Sequence, residues 1–413
     1  MVVATPDAKT PDAKTPDAQT PYGGLKVVEL SDDPGGEMTG LQFVNLGAEV
    51  IKIEPPEGAP SRHVGPYVDD QPDPDRSLAF WYYNGGKHSV VVDLESDDGH
   101  AALDHLLATA DVFVVAVHPR RLRHLGLDLA AIAAARPALI VLSITDFGLT
   151  GPWADYQSSD LVALATSGLL ITSGYDDHTI PPIRPGGNQA YHTAASFAHQ
   201  AVLLALLQRQ QNGAGGLIDL SVQEAAGVTV ELANPYWFYP RALVQRQTCR
   251  HAQPVPTQSA IFQCADGRWV YFALILADPK PWNALVQWMD SLDLAVDLKD
   301  PEFDDLTHRQ QNFAHIQDLV EVFFLLQDST DAYLEGQRRG LPIGVLNAPE
   351  DLFDDEHLVA REFFQPVDEP GYGTVRMPGA PYRFSTLSTV PPQPAPRLGE
   401  HSVEVLADVR ATS

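Results

Sequence analysis

The sequence predicts an α/β protein: a large domain on a Rossmann-like parallel sheet, with a smaller α+β domain beside it in the chain. Three observations predict this. Apolar strand-like runs alternate with helix-periodic runs from about residue 25 to 150. Beyond 150 that alternation gives way to long helical stretches. Between about 250 and 345, a hairpin pattern with an Asp-Gly turn, "AIFQCADGRWVYFAL" (260–274), precedes several helical patterns.

Each element can be justified in order. "LKVVELS" (25–31) alternates as a strand, "DDPGGE" reads as a breaker, and "MTGLQFVNLG" is apolar-periodic. "AEVIKIEPP" is a second strand, ended by Pro-Pro. "HSVVVDL" (88–94) is a strand, "DGHAALDHLLATA" (98–110) a helix and "DVFVVAV" (111–117) a strand. "DLAAIAAARP" (128–137) reads as a helix and "ALIVLSITDFG" (138–148) as a buried strand. "YHTAASFAHQAVLLALLQRQQNG" (191–213) is an Ala/Leu-rich helix with a Gly stop. The strand "GLIDLSV" and one helix, "QEAAGVTVELANPYWF", follow. Helices are expected around 282–291, 311–327 and 330–339, and short turn-rich segments from 346 onward.

The expected organisation is an N-terminal arm over residues 1–22 and the first part of the large domain over 23–225. Linker helices and the small domain then occupy 226–345, and a C-terminal segment, 346–413, returns to the large domain. The arm carries a Thr-Pro-Asp-Ala-Lys/Gln repeat whose prolines interrupt helix and ladder alike, so it reads as disordered.

Composition narrows the function classes. Of 413 residues 54 are acidic, and the net charge is -27, which argues against a nucleic-acid partner because phosphate binding needs basic stripes. No run of about 18 apolar residues appears, so no membrane span is expected, and the N-terminus lacks the pattern of a secretory signal. Two cysteines, Cys249 and Cys264, match neither a disulfide framework nor a zinc motif, which points to a reducing cytoplasm. The first turn, "SDDPGGEMTG", lacks the GxGxxG of dinucleotide binding and places an Asp pair where pyrophosphate would approach. Acids are spread unevenly: none occurs from His178 to Ile218, which reads as a buried helix.

Six collinear blocks carry a resemblance to a known family. They are "GLKVVELS…LGAEVIKIEPPEG" (24–58), "FWYYNGGKHSVVVDL" (80–94) and "LGLDL…RPALIVLSITDFGLTGPWADY" (125–156). "ALLQRQQNGAGGLIDLSVQEA" (205–225), "FDDEHLVAREFF" (353–364) and "APRLGEHSVEVL" (395–406) complete the set. Together they resemble the family III CoA-transferases (CaiB/BaiF, formyl-CoA transferase-like), with α-methylacyl-CoA racemase as a cousin. The resemblance implies transfer of CoA between an acyl-CoA and a small carboxylic acid, with coenzyme A as substrate and no metal or redox cofactor. It also implies an interlocked dimer, either a homodimer or a heteromer with a paralogous subunit. An Asp carboxylate attacks the thioester in this family, so a covalent relay splits the exchange into easier steps.

The same resemblance locates departures. The transferase nucleophile aligns at Tyr191 and the racemase acid at Ala190, and neither is acidic. Asp160 is the nearest carboxylate retained at a family position, and Ser159 stands where the racemases have a catalytic His. Asp160, Tyr191 and Gln189 are therefore the candidates for a non-standard catalytic role, with capping of the following helix as the structural alternative for Asp160. A CoA-contacting Asn is replaced in the pair Val115-Ala116, and no Gly-rich loop precedes "CADGRW". Arg120, Arg121 and Arg123, with His124 where the family often has Arg, are the candidate CoA contacts, together with Val92. Three arginines in four positions suit phosphate, and a solvated helix face is their alternative reading. Lys87 and Asn84 match family positions as structural residues, and His192 and His199 lie on one face of the acid-free helix as packed or hydrogen-bonded groups. Three outcomes stay open: a transferase with a non-standard site, a catalytically silent subunit beside an active paralogue, or racemase, lyase or isomerase chemistry.

Overall fold

The computed structural model describes residues 19–274 and 276–407. Of the expected arm, residues 1–18 lie outside the described residues. Its last residue is anchored. The Tyr22 N–H donates to the Leu46 carbonyl at 2.9 Å, and its ring packs on Phe43 and His199. An aromatic ring that can join the core overrides the low complexity of the repeat before it.

The chain divides into two compact units. The first comprises residues up to Ala163, Asn188–Ala226 and the chain from His357; the second comprises Leu164–Gly187 and Gly227–Glu356. These bounds differ from the expected 23–225, 226–345 and 346–413, chiefly because Leu164–Gly187 clusters with the second unit.

In the first unit six strands form one parallel sheet: β1 (Lys26–Ser31), β2 (Glu49–Glu54), β3 (His88–Val91), β4 (Val112–Ala116), β5 (Ile140–Thr145) and β6 (Gly216–Ser221). Their order is β3-β2-β1-β4-β5-β6. Strands β4 and β5 are buried at every position, which is why they read as continuous apolar runs rather than alternating ones. Between the strands run α1 (Pro34–Asn45), α2 (Leu78–Asn84), α3 (Asp97–Thr109), α4 (Pro119–His124), α5 (Leu129–Ala135), α6 (Asp160–Thr166) and α7 (Gln189–Asn212). Order reverses between β1 and β4, so the crevice at their carboxyl ends is the expected ligand site of an open α/β sheet. One face of the sheet buries Leu103, Leu106 and Leu107 of α3 and Leu122 of α4 against Val28, Ile53 and Val115.

Helix α1 begins earlier than the sequence pattern indicates. "DDPGGE" is its N-terminus rather than a breaker: Asp33 is the N-cap, its Oδ1 accepting from Gly35 N at 2.8 Å and Gly36 N at 3.1 Å, and Pro34 opens the first turn. Glycine is required at 36, where a Cβ would lie 2.3 Å from both Ala116 Cβ and Ser31 Oγ. The first turn can therefore sit directly over the β1–β4 crevice.

Beneath α1 lies a buried ion network. Glu29 is held by Lys52 at 3.0 Å and Lys87 at 2.7 Å, and Lys52 also reaches Glu37 at 2.9 Å. Lys87 donates further to the Glu37 carbonyl and to Asn84 Oδ1, so both residues belong to this buried network. Next to them Arg62 makes a two-nitrogen contact with Glu54 and stacks 3.6 Å over the Phe80 ring. Helix α8 (Val222–Val228) follows β6.

The second unit contains α9 (Ala233–Phe238), the pair β7 (Gln245–Gln247) and β8 (Arg250–Gln253), and a sheet of β9 (Ile261–Gln263), β10 (Trp269–Phe272) and β11 (Ile343–Val345). The Asp-Gly hairpin is present as β9–β10. Helices α10 (Pro279–Asp290), α11 (Leu306–Gln311), α12 (Phe313–Leu325) and α13 (Ser329–Arg338) cover it through Trp288, Phe323 and Phe324. The single helix expected over 223–238 is two, α8 and α9, because the β-branched run Val228-Thr229-Val230 interrupts it. The chain then forms α14 (Glu356–Ala360), the hairpin β12 (Phe364–Glu369) and β13 (Gly373–Pro378), and α15 (Ser402–Val405).

Candidate active site

Three loops of the first unit converge at the carboxyl ends of the central strands. Asp32 and Asp33 follow β1, His118 follows β4, and Asp146 follows β5. The first turn of α7 closes the group. Tyr191 is buried, its ring edge 3.2 Å from where a Cβ on Gly35 would stand, and its hydroxyl donates to Asp146 Oδ1 at 3.3 Å. Burial first, and then the charges of Asp33 and Asp146, drive the Tyr191 hydroxyl well above its ordinary pKa. It stays a neutral hydrogen-bond donor.

The acids around it are also held toward their neutral forms. Burial, with the charges of Asp146 and Asp32 adding, pushes Asp33 up to about 8 against the pull of the Gly35 and Gly36 N–H groups. Burial raises Asp146 as well, opposed by the hydroxyls of Tyr191 and Ser158. In sequence the Asp pair at 32–33 is legible only as an obstacle to pyrophosphate, and no motif draws attention to Asp146. The signal available for Asp146 was a carboxylate directly after a buried parallel strand, in "SITDFG".

Asp160 and Ala190 are brought together: Asp160 Oδ1 accepts from the Ala190 N–H at 2.8 Å. The N-cap residue of α7, Asn188, makes no side-chain cap bond, and its amide donates instead to the Tyr83 hydroxyl at 3.2 Å. Asp160 thus serves the first turn of α7 from outside the helix. Gln189 is exposed at the first position of α7, where its carbonyl accepts from Thr193 Oγ1. His192 shares a proton with the Tyr83 hydroxyl at 2.8 Å and His199 with Tyr22 at 3.2 Å, and burial lowers the pKa of both rings.

The candidate CoA contacts stand on and beside α4. Val92 and Arg121 line one cleft of about 280 Å³ with Ile53 and Leu125. Glu57, Asp93 and Glu95 line the same cleft. Two of the three arginines already face carboxylates, Arg121 to Asp32 at 3.0 Å and Arg123 to Asp155 at 2.6 Å, and the His124 ring lies 3.6 Å from Glu95. The Arg120 side chain is exposed. Among the described residues no group of three or more His, Cys, Asp or Glu could hold a metal, and no helix is long and apolar enough to cross a membrane.

An open parallel sheet with carboxylates at its switch point and arginines after β4 defines an α/β protein with a polar crevice, and comparisons specify its family. The family model of CoA-transferase family III matches residues 22–402. This chain belongs to that family. It is 32% identical over 388 residues to the succinyl-CoA:(R)-benzylsuccinate CoA-transferase subunit BbsE of Thauera aromatica, covering 93% of each chain. It is 29% identical to the succinyl-CoA–L-malate CoA-transferase alpha subunit of Chloroflexus aurantiacus, covering 94% of this chain and 88% of that one. Among solved structures, a CAIB/BAIF family protein from Brucella suis superposes with a TM-score of 0.81 at 26% identity, covering 95% of this chain and all of that one.

Proposed function

We propose that this chain is one subunit of a heteromeric CoA-transferase that moves CoA between a dicarboxylic acyl-CoA of the succinyl type and a small carboxylic acid. In this reading a paralogous partner subunit supplies the attacking Asp. The observation that carries it is the first turn of α7, where the family resemblance puts the nucleophile. A neutral, buried phenol occupies that place, and Asp160, the nearest acid at a position shared with the family, is engaged by the Ala190 N–H. A phenol held this far from ionisation is a poor nucleophile toward a thioester. Tyr191, Asp160 and Gln189 then shape the first turn rather than attack.

The CoA side supports the same reading. An acidic chain needs local cations to hold CoA phosphates, and here Arg121 and Arg123 face carboxylates while Glu57, Asp93 and Glu95 line the cleft. Two similar proteins are named as subunits, and their names give succinyl-CoA as donor. The exposed, acid-free row Leu203, Leu204 and Leu207 on α7 fits a surface covered by another chain.

A second reading has one observation in its favour: Asp33 and Asp146 both act on Tyr191, so either could attack in a self-sufficient enzyme. Against it, burial holds Asp33 mostly protonated at neutral pH, a form that does not attack, and Asp146 is engaged by the Tyr191 hydroxyl. Reconstitution separates the two. The purified chain alone should not exchange CoA between succinyl-CoA and a panel of carboxylic acids, and adding a paralogue with Asp at the position of Tyr191 should restore turnover. Full turnover by the chain alone would remove the partner-subunit reading.

A further inference from the structure

The first unit holds a second cleft that shares no residue with the acidic cluster around Tyr191. It measures about 520 Å³, within the range of small-molecule sites, and lies between the β12–β13 turn and the segment 395–400. Trp81 and Tyr372 form aromatic walls, their ring centroids 5.3 Å apart. Glu369, at the end of β12, also lines it. Only 4% of Glu369 is exposed, and its Oε1 has no hydrogen-bond partner among the described residues.

The other charged groups of the cleft are engaged or sit on its rim. Asp75 accepts from Arg62 at 2.8 Å and from the Leu398 N–H at 3.1 Å. Glu400 accepts from the Arg397 N–H at 2.8 Å, and the Arg397 side chain is exposed. Arg76 already stacks 5.4 Å from the Tyr372 centroid, so that ring accepts a cation. What is left over is one buried carboxylate oxygen beside aromatic faces. An unpartnered buried charge is costly, and a donor carrying positive charge offsets it best.

We propose that this cleft binds a small organic cation, an ammonium or guanidinium compound, with Glu369 Oε1 accepting its N–H and the Trp81–Tyr372 wall contacting its charge. The site is independent of CoA transfer and stands whether or not the partner-subunit reading holds.

Burial pushes the Glu369 carboxyl up to about 7, opposed by the Ala395 N–H. A bound cation favours the ionised form, so binding near pH 7 must release a proton. The test is calorimetric titration of the full chain with agmatine, n-butylammonium and the neutral n-butylurea, repeated in buffers of different ionisation enthalpy. The cations should saturate while butylurea does not. About half a proton should be released per agmatine at pH 7, and affinity should fall severalfold between pH 8 and pH 6. Glu369→Gln, which keeps size and shape, should weaken agmatine at least about tenfold and abolish the proton release. If Glu369→Gln fails to fold, Tyr372→Leu provides the second variant, with a loss of about threefold or more expected. Equal binding of butylurea, agmatine affinity unchanged in Glu369→Gln, or no saturation below about 10 mM would overturn the proposal. A change of oligomeric state in Glu369→Gln together with silence toward every amine would assign the cleft to a protein side chain and overturn it equally.

Discussion

At the scale of single residues, the account turns on the protonation of three side chains at the β1–β4 crevice. If the Tyr191 hydroxyl only donates to Asp146, Tyr191→Phe should leave turnover of the reconstituted enzyme within about threefold of the parent. A loss of several orders of magnitude would make the phenol a participant. Asp33 permits a pH test with a definite sign. Its folded-state pKa of about 8 lies above the ordinary Asp value near 3.9. Below that ordinary value the carboxyl is protonated in both states and costs nothing. As pH rises from about 4 to 8 the unfolded chain releases the proton first, so the folded state loses stability across that window. Asp33→Asn removes the titration while keeping a capping oxygen. Its stability relative to the parent, from urea midpoints, should therefore increase from pH 5 to pH 8; a flat or declining difference would contradict the assignment. Lys87 belongs to the same scale. Lys87→Met leaves Glu29 buried with Lys52 as its remaining ammonium partner, and should cost about 3 kcal/mol in urea unfolding.

At the scale of elements, strands were legible and helix ends less so. The central strands of the large sheet read directly from the chain because burial on both faces selects mainly apolar residues, as in VFVVA of β4 and IVLSIT of β5. Helix α1 was started too late because Pro and two glycines signal a break in sequence; only the tertiary position over Ala116 and Ser31 shows why glycine is needed there. The acid-free helix α7 was half right. Ala190, Ala194, Ala195 and Ala198 are buried as expected, whereas Leu204 is 67% exposed in the single chain. A stripe that excludes acids yet faces outward fits a subunit contact better than a core. Leu204→Glu should then shift the assembly toward monomer by light scattering, without changing the far-ultraviolet circular dichroism. An unchanged mass would leave α7 outside the interface.

At the scale of the whole molecule, the family was legible because six blocks in one order span nearly the full chain, and the match to residues 22–402 agrees with them. The chemistry of the site was less legible. Sequence could locate the place where a carboxylate was expected and find Tyr191 there, but could not see that Asp33 and Asp146 flank it, since these acids lie far apart in the chain. Nor could it see Arg121 paired with Asp32, because the residues meet only when β1 and β4 become neighbours. The central claim is that this chain shapes and completes a transferase whose nucleophile lies elsewhere. Its most direct test is peptide-level mass spectrometry after incubation with succinyl-CoA and hydroxylamine, performed on this chain alone and together with an Asp-carrying paralogue. A hydroxamate should form on the paralogue's Asp and none on this chain. A hydroxamate on Asp33, Asp146 or Asp160 of the isolated chain would contradict it.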